Sequence, residues 1–478
     1  MAQSCMVILA YTRLFVAIFL LSTFVVACSG GGSSSSGSSS TSSSPNISTA
    51  SVCGPPASIV SVRNSTSMTV ARIGHTATLL QNQDVLVVGG YGVGGGLSST
   101  ENYHPASATW SNDANLSGSR TGHTATLLVN GDLLLAGGYD SNGITASAEI
   151  YDRGTDTWRP AANISEPRYH HSATRLPDAE GSVLLIGGRN LNGAALASAE
   201  LYNPRLNQWS VAGSMSVPRT GHATTLLPTG QVLVTGGWGS RGLTGTAELY
   251  DSSTGLWSLA QNMTIARTGH TATVLTNGDV LVAGGYGSGG ALASAEIYRV
   301  LDPNTGQGQW VGTTDLQVPR AGHSATGLSN NSVFVVGGED EKGMLSSSEL
   351  YDATNNQWIF GSSLISPRAF HTATLLADES LLVTGGTLLR SDRVSAERVT
   401  PRAQAIVEWD RPSDPAVIGH KIYYGTTSKT YQGLAILDRD VMHMFGNLTR
   451  GTTYYFAVTS ISETGESCAS KEISALIP

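Results

Sequence analysis

The sequence predicts an all-β chain built mostly of repeated four-stranded sheets, and three observations predict it. Glycine is abundant, 56 of 478 residues, while charged residues make up only 13%. Glycine weakens a helix by about 1 kcal/mol relative to alanine, so this composition points away from helices. A unit 48 to 53 residues long recurs seven times, and repeats of this kind come before any residue-level reading. Within each unit, short apolar or alternating runs are separated by Asn-Gly, Asp and Gly-Gly turns, the punctuation of strands. A hydrophobic content of 40% allows a sizeable core. The chain has 27 basic and 35 acidic residues, a net charge of −8, and only four lysines. No basic surface is available to neutralise phosphates, so nucleic acid is not an expected partner.

The first element reads as an address. Leu14 to Ala27 (LFVAIFLLSTFVVA) is an apolar run preceded by Arg13. It is shorter than the ~20 residues that span a bilayer and suits the apolar region of a signal peptide. The run ends in Val25-Val26-Ala27-Cys28, which resembles the bacterial lipobox. That resemblance implies a lipoprotein signal over residues 1–27 and lipidation of Cys28 through its sulfur. It implies a protein held in the bacterial cell envelope, and Ser29 in place of Asp implies the outer membrane. Ser29 to Ser44 (SGGGSSSSGSSSTSSS) has no apolar side chain to bury and behaves as flexible coil. Residues 28–57 are therefore expected to be a tether. With Cys5 removed and Cys28 lipidated, Cys53 and Cys468 are left to pair in an oxidising compartment.

The repeats come next. Their arginine stands at Arg72, Arg120, Arg168, Arg219, Arg267, Arg320 and Arg368. Three residues later comes His75, His123, His171, His222, His270, His323 or His371. A glycine pair follows, beginning at Gly89, Gly137, Gly187, Gly236, Gly284, Gly337 and Gly385, and then Glu101, Glu149, Glu200, Glu248, Glu296, Glu349 and Glu397. In the first six copies a tyrosine lies two residues beyond the glutamate, and Trp110, Trp158, Trp209, Trp257, Trp310 and Trp358 close the units. This pattern resembles the kelch repeat, which implies that residues 58–400 form a seven-bladed β-propeller.

The seventh copy lacks its last strand, because RVTPRA follows the Glu397 position with neither Tyr nor Trp. Val62 and Met68 keep the offsets from Arg72 that the Trp and the following apolar residue keep in complete copies. Ser58–Met68 is therefore expected to be the fourth strand of the last blade, closing the ring and removing two open sheet edges. The tail, residues 402–478, contains AIVEWD, HKIYYGTT and LTRGTTYYFAVTSIS, spaced as strands. Trp409, the Tyr423-Tyr424 pair, and Leu448 with Tyr454 six residues on resemble a fibronectin type III domain, implying a small β-sandwich with Tyr454 at its corner.

Symmetry separates structure from function. Seven copies of His, Arg and Glu at one position each read as structural, and buried charges need such partners. The loops GYGVGGG and GYGSGG lack a following helix and so cannot cradle phosphate. No cofactor or metal site is expected. The whole layout also resembles galactose oxidase, which implies a copper site with a Tyr-His pair at the start of a blade and a Cys-Tyr cross-link in the propeller. Here the residue before the repeat histidine is Gly in five copies, His170 in one and Phe370 in another, and no Cys lies between Cys53 and Cys468. The chain departs from that pattern at both points.

What varies is the residue after each glycine pair: Tyr91, Tyr139, Arg189, Trp238, Tyr286, Glu339 and Thr387. By the kelch resemblance these loops surround the central channel. Aromatic faces stack on sugars or peptide side chains, and Arg189 and Glu339 can orient polar groups. Tyr169 and His170 also break the repetition at the start of a blade. The expected function is non-enzymatic binding of a glycan or protein partner by this face. A carbohydrate- or envelope-modifying enzyme is the alternative, since fold does not decide function.

Overall fold

The computed structural model describes residues 63–64, 67–386, 396–400, 405–408, 416–437, 442–445, 448, 452–467, 469–470 and 472–476. All of these belong to the compact unit Val60–Pro478. Cys28, Cys53, Thr387, Trp409 and Cys468 lie outside the described residues, and so do the proposed signal and tether. Among the described residues there is no helix, and hence none long and apolar enough to cross a membrane.

The repeats form seven antiparallel four-stranded sheets among the described residues. Each is a blade, numbered here by its repeat arginine, from Arg72 in blade 1 to Arg368 in blade 7. Blade 1 runs Thr76–Leu79, Val85–Val88, Thr100–His104 and Thr109–Asp113, with neighbours in sequence paired in space. The first strands of successive blades adjoin in cyclic order, and Thr372–Leu375 of blade 7 returns to Thr76–Leu79 of blade 1. The ring is a seven-bladed β-propeller.

Its closure uses the start of the chain. Arg63–Asn64 pairs antiparallel with Ala396–Val399, placing Arg63 opposite Arg398 and Asn64 opposite Glu397. It is the fourth strand of blade 7, as the repeat offsets before Arg72 suggest. Met68 follows and is 2% exposed, packed among Val85, Val87 and Tyr103 of blade 1 and Leu376 and Leu382 of blade 7. The two ends of the ring are thus sewn together by backbone hydrogen bonds and by one shared apolar plug.

Every second strand, from Val85–Val88 to Leu381–Thr384, is buried throughout. Both faces of these strands are covered by neighbouring blades, which is why they read as continuous apolar runs rather than alternations. The core is a circle of clusters shared by adjacent blades. Leu134, Ala136 and Ile150 of blade 2, for example, pack on Val183, Leu185 and Tyr202 of blade 3.

The tail forms a sheet of Gly433–Leu437, Val417–Gly425, Thr453–Ser462, Gly465–Glu466 and Ile473–Leu476, and a separate pair, Ala405–Glu408 with Met442–Phe445. Phe445 from the pair packs on Tyr424 at 4.6 Å and Phe456 at 5.1 Å, so two sheets share one small core. Ile359, in the outer strand of blade 6, packs against that core.

Candidate functional site

The repeated side chains hold the ring. Each repeat arginine is buried against the glutamate of its own blade, from 2.5 Å for Arg72–Glu101 to 3.0 Å for Arg267–Glu296. The guanidinium also donates to two backbone carbonyls, as Arg219 does to Gly236 and Thr246, both at 2.9 Å. The glutamate in turn accepts from the backbone leading into the blade, as Glu248 does from the Ser216 amide at 2.6 Å. Each pair therefore satisfies a buried charge and pins a connection.

The histidines face the joints between blades. His123 Nε2 meets Thr76 Oγ1 of the preceding blade at 3.1 Å, His171 meets Thr124 at 2.9 Å and His222 meets Ser172 at 2.8 Å. Burial first, and the nearby arginine second, hold His123, His222 and His371 down to about 3, so these rings are neutral. The glycine pair explains itself here. A Cβ on Gly236 would lie 2.4 Å from the Arg267 carbonyl and 2.7 Å from the His270 ring of the next blade, with φ at +59°. Tyr and Trp stack within each outer blade, at 5.0–5.3 Å. Trp158, Trp209 and Trp257 donate their indole N–H to backbone carbonyls of the preceding blade.

One end of the channel is built differently. Six of the varying residues (Tyr91, Tyr139, Arg189, Trp238, Tyr286 and Glu339) each form a backbone bridge to the residue just after the repeat arginine of the same blade. Tyr91 and Ile73 exchange hydrogen bonds at 2.8 and 3.0 Å, and Trp238 and Thr220 at 2.8 and 3.1 Å. This seats all six around one mouth. The next residue in each blade lies in the left-handed region: Gly74, Gly122, His170, Gly221, Gly269, Gly322 and Phe370, with φ between 50° and 64°. These residues pass hydrogen bonds from blade to blade. His170 N donates to Gly122 O at 2.9 Å, Gly269 N to Gly221 O at 2.9 Å and Phe370 N to Gly322 O at 2.8 Å. Thr220 Oγ1 donates to His170 O at 3.3 Å.

Two of the seven wreath positions are not glycine. A left-handed non-glycine residue costs about 1–2 kcal/mol, and such strain collects at functional sites. His170 lies over Gly122, and Phe370 lies over Gly322 with 49% of its surface exposed. Around His170 the mouth is aromatic and cationic. Its ring is 4.9 Å from that of Tyr169, which meets Tyr139 edge-on at 6.3 Å and is bridged through its backbone to Arg189. His170 is open to solvent yet crowded by these walls, and crowding first, with the Arg189 charge second, lowers its basicity. Three blades further round, the Tyr286 hydroxyl donates to Glu339, and Glu341 lies over Gly290. Trp238, between the two groups, is 44% exposed. The mouth thus has a cationic side and an anionic side, separated by rings and threonine hydroxyls.

Of the residues singled out by sequence, Tyr139, Tyr169, His170 and Arg189 come together, Tyr286 and Glu339 form a second group, and Tyr91 and Trp238 stand apart on the rim. Phe370 was not among the expected site residues. Its signal was the same break in repetition that marks His170, one residue before a repeat histidine.

The comparisons fit this geometry. In sequence, Kelch-like protein 33 of Homo sapiens is 43% identical over 63 residues, 13% of this chain and 11% of that protein. The chain thus spans only about a tenth of that relative. In structure, a fungal alcohol oxidase of the AA5 family in complex with copper superposes with a TM-score of 0.58 at 14% identity, covering 87% of this chain and 100% of that one. That likeness concerns the fold. A further structure, of YjhT, superposes with a TM-score of 0.48 at 17% identity, over 62% of this chain and 98% of that one. The described residues do not fit a copper centre: no three His, Cys, Asp or Glu side chains among them are grouped to hold a metal ion, and His170 faces the Arg189 cation. The family model described as Attractin/LZTR1 beta-propeller matches residues 57–290 and again 183–407. Those matches span most of the chain and the whole described ring, and the chain belongs to the Attractin/LZTR1 beta-propeller family.

Proposed function

We propose that this chain is a non-catalytic binding protein whose channel mouth takes a glycan or protein partner. One observation carries the reading: Tyr169, His170, Arg189, Glu339 and Phe370, which break the sevenfold pattern, all lie at the same mouth. Everything repeated seven times is occupied in holding the ring. A kelch-type propeller is suited to such a role, because short loops present varied side chains on a rigid frame.

In this reading Cys28 is lipidated, the Ser/Gly-rich segment is a tether, and the propeller is displayed in the bacterial envelope at the outer membrane. The lipobox-like Val25-Val26-Ala27-Cys28 supports it. The tail acts as a fibronectin type III-like spacer or second contact surface, supported by its paired sheets and by Phe445, Leu448 and Phe456 in its core. The second reading is an enzyme acting on a carbohydrate or envelope compound, favoured by the fold likeness to the AA5 oxidase.

A screen of the purified chain against glycan and envelope-fragment arrays, with metal content measured in parallel, tests the proposal. Saturable binding without turnover supports it. Stoichiometric copper or zinc together with turnover of a sugar replaces it with the enzyme.

A further inference from the structure

Resting on the binding reading above, we propose that the mouth recognises an oligosaccharide carrying one carboxylate, a terminal uronate. Arg189 and His170 take the acidic end, and Phe370 and Trp238 offer ring faces to the rest.

The charge pattern across the mouth argues for a ligand with two unlike ends. Arg189 of blade 3 stands beside His170, Tyr169 and Tyr139, so a guanidinium, an imidazole and two phenol rings converge on one side. A guanidinium fork matches a carboxylate, and in this sheltered position a charge-assisted hydrogen bond gains strength. Three blades away in a ring of seven, Glu339 already accepts from Tyr286, and Asp340 and Glu341 follow in the same hairpin. That side repels a second carboxylate and accepts hydrogen bonds from hydroxyls. A ligand acidic along its whole length does not fit; one acidic at a single end does.

The rest of the mouth suits a sugar better than a protein surface. Between the charged sides it offers threonine hydroxyls, the exposed Trp238 and the exposed Phe370, with no contiguous aliphatic patch to form a protein-interface core. Flat rings with neutral polar neighbours are the surface on which pyranose faces stack. His170 and Phe370 hold left-handed backbone where five blades use glycine. The fold itself needs no side chain at that position, so the two that are present serve something outside the fold.

Isothermal titration of the full chain with a glucose trisaccharide, its counterpart ending in glucuronate, and the corresponding galactose and galacturonate pair tests this. Acidic members are expected to bind at least tenfold more tightly than neutral ones, and Arg189→Gln to shrink that ratio to about twofold or less. His170→Gly and Phe370→Gly, which restore the glycine of the other blades, are expected to weaken acidic binding about tenfold while the melting temperature stays level or rises. Equal binding of acidic and neutral members overturns the carboxylate assignment and leaves a sugar-binding mouth standing. Capture of an acidic peptide with neither sugar bound overturns the sugar class alone. Absence of binding by sugars and peptide alike overturns this inference together with the binding reading. A lowered melting temperature with unchanged affinity in both glycine variants makes the two positions structural and overturns their role.

Discussion

His170 and His171 are neighbours in the chain and belong to two different regimes of the molecule. His171 is one of seven: buried, neutral, bonded to Thr124 of the preceding blade, and replicated at every joint. His170 is one of a kind: exposed, held at a positive φ that five sister blades assign to glycine, and set against Tyr169 within reach of the Arg189 charge. The contrast teaches that in a repeat protein the residue type says little by itself. A histidine that recurs serves the geometry shared by all blades, and a histidine that departs from the repeat is free to serve a ligand.

The strongest way to break this comparison is to remove a repeated charge. Glu248→Ala leaves Arg219 buried without its carboxylate and is expected to cost about 3–5 kcal/mol, because an uncompensated buried charge remains. Urea denaturation of the variant checks it, and a loss below 1 kcal/mol would remove the repeated pairs from the structural class. Next in size is the closing joint. Met68→Ala opens a cavity shared by blades 1 and 7 and is expected to cost about 2–5 kcal/mol. An unchanged melting temperature would mean that the plug does not hold the ring shut.

Acid provides a third test, with the sign set by the joint histidines. Burial depresses them from 6.5 to about 3 at His75, His123, His222, His270 and His371. The unfolded chain therefore binds more protons between these values. Stability is complete above pH 6.5 and is lost as pH falls from there toward 3. Melting temperatures measured from pH 7 to 4 are expected to drop steadily, and a flat profile contradicts the neutral-joint account. The smallest stability effect belongs to the mouth. Trp238→Ala is expected to change stability by about 0.5 kcal/mol or less, as exposed sites do. The same variant should weaken ligand binding about tenfold, and if both readouts stay flat, Trp238 lies outside the site.

Much of this architecture was legible in the residues. The offsets among Arg, His, Gly-Gly, Glu, Tyr and Trp mark seven equivalent units, and the loss of Tyr and Trp from the last unit points to Met68 and the segment before it. Six of the mouth residues were found by their variation against constant flanks. Phe370 escaped because it was weighed only as a missing tyrosine ligand, whereas its exposure and backbone conformation are what single it out. The pairing of Tyr286 with Glu339, 53 residues apart, has no local trace at all.

By itself, the sequence determined the number of blades, the strand runs within each, and which side chains repeat, because these follow from local periodicity and turn chemistry copied along the chain. Tertiary structure alone decided which of them meet. The His–Thr joints, the wreath of left-handed residues and the cationic and anionic sides of the mouth all cross blade boundaries. Such contacts exist only once the ring has closed, since closure is what brings residues fifty or more positions apart within hydrogen-bonding distance.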